Sequence, residues 1–285
     1  MFERKKRAAV RATDPGIFHC VVEASVITDT GPRRQSNEDC GKVVRSENPE
    51  KLARKGVLAI VADGMGGHEG GEVASHLAVQ TVSEAYSTSL AQPQAALVDA
   101  FHAANREIYQ LSRRRTQLAG MGTTCTAVAV VNGIAYSAHI GDSRAYLVRG
   151  GQIYRMTEDH SATMALVKQG LISMSEAREH EDRNVILRAM GTHQEVEVST
   201  WDAPFTVWPG DRLILCSDGL HDTLTDLEIC SIAGSAEPGE ACSLMLNLAL
   251  ERMCTDNVTV AVLGIYQRVQ SNGAGLKVTR EVESI

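Results

Sequence analysis

A chain of 285 residues, 44% of them hydrophobic, can enclose a sizeable core within one or two domains. Its formal net charge of −7 argues against nucleic acid or an anionic membrane as the main partner, so an anionic ligand would need cations placed locally. Seven cysteines, an odd number with no C-x-x-C pair and no His/Cys cluster at zinc spacing, fit a reduced cytoplasmic protein, and no apolar run approaches the ~18 residues of a membrane span.

The basic start, Arg4, Lys5, Lys6 and Arg7, lacks the apolar stretch of a signal peptide. Residues 1–20, charged and aperiodic, and 268–285, polar and Gly-bearing, are expected to be tails around one domain spanning 21–267. Val57–Ala62 is a short apolar run that ends in Asp-Gly. Glu72–Leu90 then carries Ala74, Leu77, Ala78, Val82 and Ala85 at helical spacing. Leu97, Phe101, Ala104, Ile108 and Leu111 repeat every three or four residues and predict a second amphipathic helix directly after it. The Arg113-Arg114-Arg115 cluster at its end suits the helix dipole.

Thr123–Val131 is β-branched and alternating, and Asn132-Gly133 offers a tight hairpin turn into Ile134–Ile140. Arg144–Val148 and Gln152–Met156 are expected to pair across Arg149-Gly150-Gly151. Residues 160–193 are polar with short helical pieces. Arg212–Cys216 is an apolar strand running into Ser-Asp-Gly, and Thr225-Asp-Leu-Glu228 is a capping box that opens a helix. Glu240–Arg252 predicts one more helix and Val258–Ile265 a last strand. Strands in meander groups with helices in pairs point to an α+β layered sandwich rather than a doubly wound parallel sheet.

Acidic residues recur at or near the strand ends. They are Glu38 and Asp39 in TDTGPRRQSNED, Asp63 in VADGMGGHEGG, Asp142 in HIGDSRAYL, Asp218 in LCSDGL and Asp256 in TDNVTV. Hard oxygen donors suit magnesium or manganese, and nothing here supplies the thiolates or paired histidines that zinc prefers. A strand that delivers an Asp at its tip and turns through Gly holds the carboxylate rigidly, and Gly lets the backbone carbonyl come close enough to be a ligand. A lone Asp-Gly after a strand is usually only a turn. Three apolar strands each carrying an Asp at an end, Asp63, Asp218 and Asp256, with a Gly-rich stretch after the first, are more than a chance set of turns and read as a candidate divalent-metal site.

In order, from about Val26 to Tyr266, TDTG-x-x-R-x-x-NED, VADGMGGHEGGEVAS, the Gly-Thr-Thr strand, HIGDSRAYL, LCSDGL and TDNVTV resemble the metal-dependent Ser/Thr protein phosphatases of the 2C type, in their bacterial form. The resemblance implies a four-layer α-β-β-α sandwich, two antiparallel sheets flanked by helix pairs. It implies two Mn2+ or Mg2+ ions bridged by Asp63, one completed by the carbonyl of Gly64 and the second held by Asp218 and Asp256. Asp39, with Glu38 beside it, takes the place of the acid that holds metal-bound water, and Asp142 that of a ligand to a third ion sharing Asp218. Arg34, three residues before Asn37, matches the arginine that grips the substrate phosphate, while Arg33 is out of register. Residues 158–192 resemble the flap beside the active site, in which neither His160 nor His180 is given a catalytic role.

The implied activity is hydrolysis of phosphoserine and phosphothreonine in proteins by a water activated between two metals, opposing a bacterial Ser/Thr kinase in cytoplasmic signalling. The expected partners are phosphorylated proteins, with that kinase and its substrates among them. A silent regulatory module would be expected to have lost a metal carboxylate or the arginine, and all are present. A small-molecule phosphatase on the same scaffold is excluded less well. One position departs from the pattern: many eukaryotic members have His two residues after the bridging Asp, and this chain has Met65. The proton donor to the leaving group stays open among His68, a metal-bound water and solvent.

Overall fold

The computed structural model describes residues 20–66 and 70–268, so His68 and the expected tails at 1–19 and 269–285 lie outside the described residues. The first half of the chain forms β1 (Cys20–Asp29), β2 (Asp39–Arg45), α1 (Pro49–Lys55), β3 (Val57–Met65), α2 (Gly70–Thr88), α3 (Pro93–Arg114), β4 (Gly122–Thr123), β5 (Cys125–Val131) and β6 (Ile134–Ile140). The second half forms β7 (Arg144–Arg149), β8 (Gln152–Arg155), α4 (Ala162–Lys168), α5 (Met174–Glu179), β9 (Phe205–Thr206), β10 (Arg212–Cys216), α6 (Asp218–His221), α7 (Asp226–Ser235), α8 (Pro238–Glu251) and β11 (Val258–Gln267).

One sheet runs β1-β11-β10-β7-β8 and the other β2-β3-β5-β6-β9, with β4 on the end of β3. Their ladders are antiparallel throughout. The inner strands are buried on both faces, which is why β3 and β11 read as near-continuous apolar runs instead of alternating ones. In β3, Leu58, Ile60 and Ala62 turn toward the helix pair α2 and α3, where they meet Val82, Phe101 and Ile108. Val57, Ala59 and Val61 turn the other way, against Leu213, Leu215 and Leu263 of the facing sheet. Val258, Val260 and Val262 of β11 face a third cluster with Ile229, Met245 and Leu246 of α7 and α8. The result is the four-layer α-β-β-α sandwich that the sequence pattern and the resemblance led us to expect.

The local signals held where they were strong. Asn132 and Gly133 both take positive φ, 50° and 78°, as the two-residue hairpin turn requires. Thr225 caps α7, its side chain accepting from the Glu228 N–H while Glu228 accepts from the Thr225 N–H in return. Other features differ from expectation. Cys20, placed in a tail, pairs with Gln267 at the start of β1. Arg149 is the last pair of the β7–β8 ladder, leaving Gly150-Gly151 as the turn. Asp218 opens the short helix α6 instead of ending a strand. Neither β1 nor β2 stood out in the sequence, because Glu23 and Lys42 interrupt their apolar pattern.

Gly41 in β2 marks where the sheets approach each other. A Cβ there would lie 2.6 Å from Val26 Cγ2 and 2.9 Å from Thr259 Cγ2. Among the described residues no helix is long and apolar enough to cross a membrane. The cap at α7 can be tested directly. Thr225→Ala removes one side of the capping box and is expected to lower the unfolding free energy by about 1 kcal/mol in denaturant titration. An unchanged midpoint would show that α7 is held by packing alone.

Candidate active site

The two sheets carry a pair of aspartates each at the same end of the sandwich. In the β2–β3 ladder Asp39 stands directly opposite Asp63. In the β7–β10 ladder the last pair is Arg144 with Cys216, and the same register continued would set Asp142 opposite Asp218. Like charges facing each other across a ladder repel, so neither pair is explained by strand stability.

Short polar contacts fix these positions. Ser217 Oγ donates to Asp39 Oδ2 at 2.6 Å and accepts from the Thr259 N–H at 2.9 Å, so it ties the acid of one sheet to the backbone of the other. The main chain of Asp63 is held by consecutive threonines. Thr124 Oγ1 accepts from the Asp63 N–H, and the Asp63 carbonyl accepts from Thr123 Oγ1 and the Thr124 N–H. Next in the chain, a Cβ on Gly64 would lie 2.1 Å from the Gly71 carbonyl oxygen and 2.5 Å from that of Glu38, so no larger residue fits.

The segment between β1 and β2 is clamped by Asn257, which follows Asp256. Its Nδ2 donates to the carbonyls of Thr30 and Ser36, and its Oδ1 accepts from the Glu38 N–H. This loop presents Arg34, whose Nη2 donates to Asp256 Oδ2 at 2.6 Å. Asp256 Oδ1 accepts from the N–H of Asn257, so both its oxygens are engaged. The Arg34–Asp256 pair is partly open to solvent, with 53% of the arginine side chain exposed.

The electrostatics describe crowded acids short of positive charge. Burial pushes Asp39 up to about 6, against the donors Ser217 and Thr259. Burial, reinforced by Asp159, lifts Asp142 to about 7, and burial reinforced by Asp142 lifts Asp218 to about 7. Asp63 is raised well above the carboxylate range by burial and then by the charges of Asp39, Asp218, Asp142 and Asp256. Arg144, two residues beyond Asp142, is committed elsewhere, gripping Asp159 through Nε and Nη2. Asp142 Oδ1 and Asp218 Oδ1 are buried with no hydrogen-bond partner.

Unpartnered carboxylate oxygens, a glycine no side chain can replace and an all-oxygen donor set fit hard divalent cations. Among the described residues, no three His, Cys, Asp or Glu side chains already stand close enough to enclose one ion. The structure thus brings Asp39, Asp63, Asp142 and Asp218 together, with Gly64 beside them, and draws Asp256 toward Arg34. Arg33 is exposed. Met65 ends β3 opposite Gly122, and His160 accepts from the Gly141 N–H behind the site, a structural place. Residues 158–192 hold α4 and α5, and Ser161, Thr163 and Met164 share one cavity with Asp142 and Asp218.

Ser217, Asn257, Thr123 and Thr124 were missed as functional residues. All lie inside the quoted motifs, Ser217 and Asn257 beside acids and the threonines in a strand, but residue type alone gave no signal of what they bind.

Comparison with known proteins accords with this geometry. The family described as Protein phosphatase 2C matches residues 50–247. A serine/threonine phosphatase stp of Listeria monocytogenes is 35% identical over 248 residues, 85% of this chain and 95% of that protein. The crystal structure of the Mycobacterium tuberculosis serine/threonine phosphatase PstP/Ppp superposes with a TM-score of 0.76 at 35% identity, covering 86% of this chain and 99% of that one. The catalytic domain of PstP in complex with two manganese ions superposes at 0.75 and 34% identity, covering 87% and 100%. The chain belongs to the protein phosphatase 2C family, the metal-dependent serine/threonine protein phosphatases, in its bacterial form.

Proposed function

We propose that this enzyme removes phosphate from phosphoserine and phosphothreonine in proteins, reversing a bacterial Ser/Thr kinase in cytoplasmic signalling. The observation that carries the reading is Asp39 facing Asp63 at the end of one ladder, with Asp142 and Asp218 just past the end of the other and each keeping a buried carboxylate oxygen that no donor satisfies. Two Mn2+ or Mg2+ ions would be held by Asp63, the Gly64 carbonyl, Asp218 and Asp256, with Asp39 acting through water and Asp142 and Asp218 offering a third position. When bound, such ions supply Lewis acidity toward phosphoryl oxygens and lower the pKa of water enough for hydroxide to be available near neutral pH.

The chain's own residues do the rest. Arg34 offers a planar fork that matches a phosphate, and its bond to Asp256, an exposed pair worth ~0.2–1 kcal/mol, exchanges readily. Asn257 keeps the Arg34 loop in place, and Ser217 fixes the Asp39 carboxylate. The 158–192 segment, sharing its cavity with the acids, screens the site and tunes access. Met65 can neither give nor take a proton, so the leaving oxygen receives its proton from elsewhere. The Cys216 thiol beside Ser217 is no competing nucleophile, since burial pushes it up to about 12.

Turnover of p-nitrophenyl phosphate and of a phosphothreonine peptide is expected to require Mn2+, and Asp63→Asn and Asp218→Asn are each expected to lower kcat about 10²–10³-fold. Equal rates for all three proteins in Mn2+ would end the enzymatic reading, and a preference for free phospho-metabolites over the peptide would redirect it. A second expectation concerns stability. Folded Asp39, Asp142 and Asp218 hold protons more tightly than the unfolded chain, with pKa values of about 6, 7 and 7. Between about pH 4 and pH 7 the native state therefore binds the excess protons, and its stability falls as pH rises. In thermal unfolding the metal-free protein should melt lower at pH 8 than at pH 5.5, with Mn2+ recovering the loss at pH 8. A metal-free midpoint that rises across this window would contradict the electrostatic account.

A further inference from the structure

His221 has no place in the machinery described so far, yet it touches its centre. It closes the single-turn helix α6 that Asp218 opens, three residues further on, and its side chain is only 4% exposed. Nε2 lies 3.2 Å from the main-chain oxygen of Asp142. A carbonyl can only accept, so Nε2 carries the proton in this contact whatever the state of the ring. Nδ1 sits 3.2 Å from Asp222 Oδ1 but out of hydrogen-bond alignment, leaving it a buried atom with no hydrogen-bond partner.

The contact matters because of where the ladder stops. Backbone pairing between β7 and β10 ends at Arg144 and Cys216, two residues short of both Asp142 and Asp218. Beyond it one chain coils into α6 and the other turns through Gly141. The Gly141–Ser143 turn is fastened on its other sides: Gly141 N–H donates to His160 Nδ1, Ser143 Oγ meets Thr124 Oγ1, and the Ser143 carbonyl accepts from Thr126 Oγ1. None of these bonds reaches the segment bearing Asp218. His221 does. It spans the gap at the point where two carboxylates, each with a buried oxygen that no donor satisfies, push apart.

We propose that His221 is a positioning residue, whose Nε2–H bond to the Asp142 carbonyl holds the Asp142 turn against the helix of Asp218 so that the two carboxylates can share a cation. This rests on the reading in which Asp142 and Asp218 are metal ligands. Residues that orient ligands in this way typically cost 10–100-fold in metal affinity when removed.

The test uses the full chain and Mn2+ alone, with binding followed by calorimetry and by the electron paramagnetic resonance of free Mn2+, alongside thermal unfolding of the metal-free proteins. His221→Gln keeps a donor near the position of Nε2, His221→Asn places its amide nearer Nδ1, and His221→Leu removes both. His221→Gln should bind Mn2+ within about twofold of wild type, while His221→Asn and His221→Leu should weaken the weakest class of sites about tenfold or more. The metal-free melting points of the Gln and Asn variants should shift alike, so that the difference in their Mn2+ affinity reports where the donor sits, which a merely structural role would not produce. If His221→Leu does not fold, the contrast between Gln and Asn decides. Wild-type affinity in the Asn or Leu variant would overturn the proposal, and so would a Gln variant as weak as Asn. Failure of the wild type itself to bind Mn2+ would instead remove the metal assignment beneath it.

Discussion

Aspartates gathered at the ends of two antiparallel ladders are the constraint around which this molecule is arranged. Asp39 opposes Asp63 in one sheet, and Asp142 approaches Asp218 in the other. Taken alone, each juxtaposition costs stability, because charge is desolvated and set against like charge. Under the roles proposed for these acids the arrangement is a vessel for positive charge, and the surrounding contacts leave oxygens open for it. Ser217, the two threonines behind Asp63 and the close packing around Gly64 all act on the backbone or on one oxygen, leaving other oxygens without donors.

The sandwich supplies the rigidity that such a vessel requires. Because β3 and β11 are buried on both faces, their carboxyl-bearing ends are continuous with three packed interfaces instead of hanging from a surface loop. A single hydroxyl, that of Ser217, then locks the end of one sheet to the end of the other. Interiors packed at this density do not shear gradually, so the distance between the two acidic pairs is set by the whole core.

The legibility of these features in the sequence followed their range. Asp63, Asp142, Asp218 and Asp256 were readable because each follows or precedes a short apolar run within one motif, and the capping box at Thr225 was readable because its partners lie three residues apart. β1 and β2 were not, since Glu23, Gly41 and Lys42 interrupt their patterns and β1 finds its partner β11 at the far end of the chain, Val26 against Ala261. Ser217 bonds to Asp39 across 178 positions and Arg34 to Asp256 across 222, separations at which residue type alone carries no information. His221 was silent for another reason: it sits just past a motif, and only the stop of the β7–β10 ladder gives it meaning.

The bond between Arg34 and Asp256 links two functions usually considered apart. With the Asn257 N–H on one oxygen and Arg34 on the other, both oxygens of Asp256 already accept a hydrogen bond. Under the roles proposed for them, a cation that claims Asp256 releases a guanidinium, and a phosphate that claims Arg34 releases a carboxylate oxygen. The two ligands are then thermodynamically linked through a residue pair of which each touches one member, and reciprocity demands that each strengthen the other by the same factor. Such an enzyme rests self-neutralised, and either ligand, by taking one member of the pair, frees the other member for its own partner.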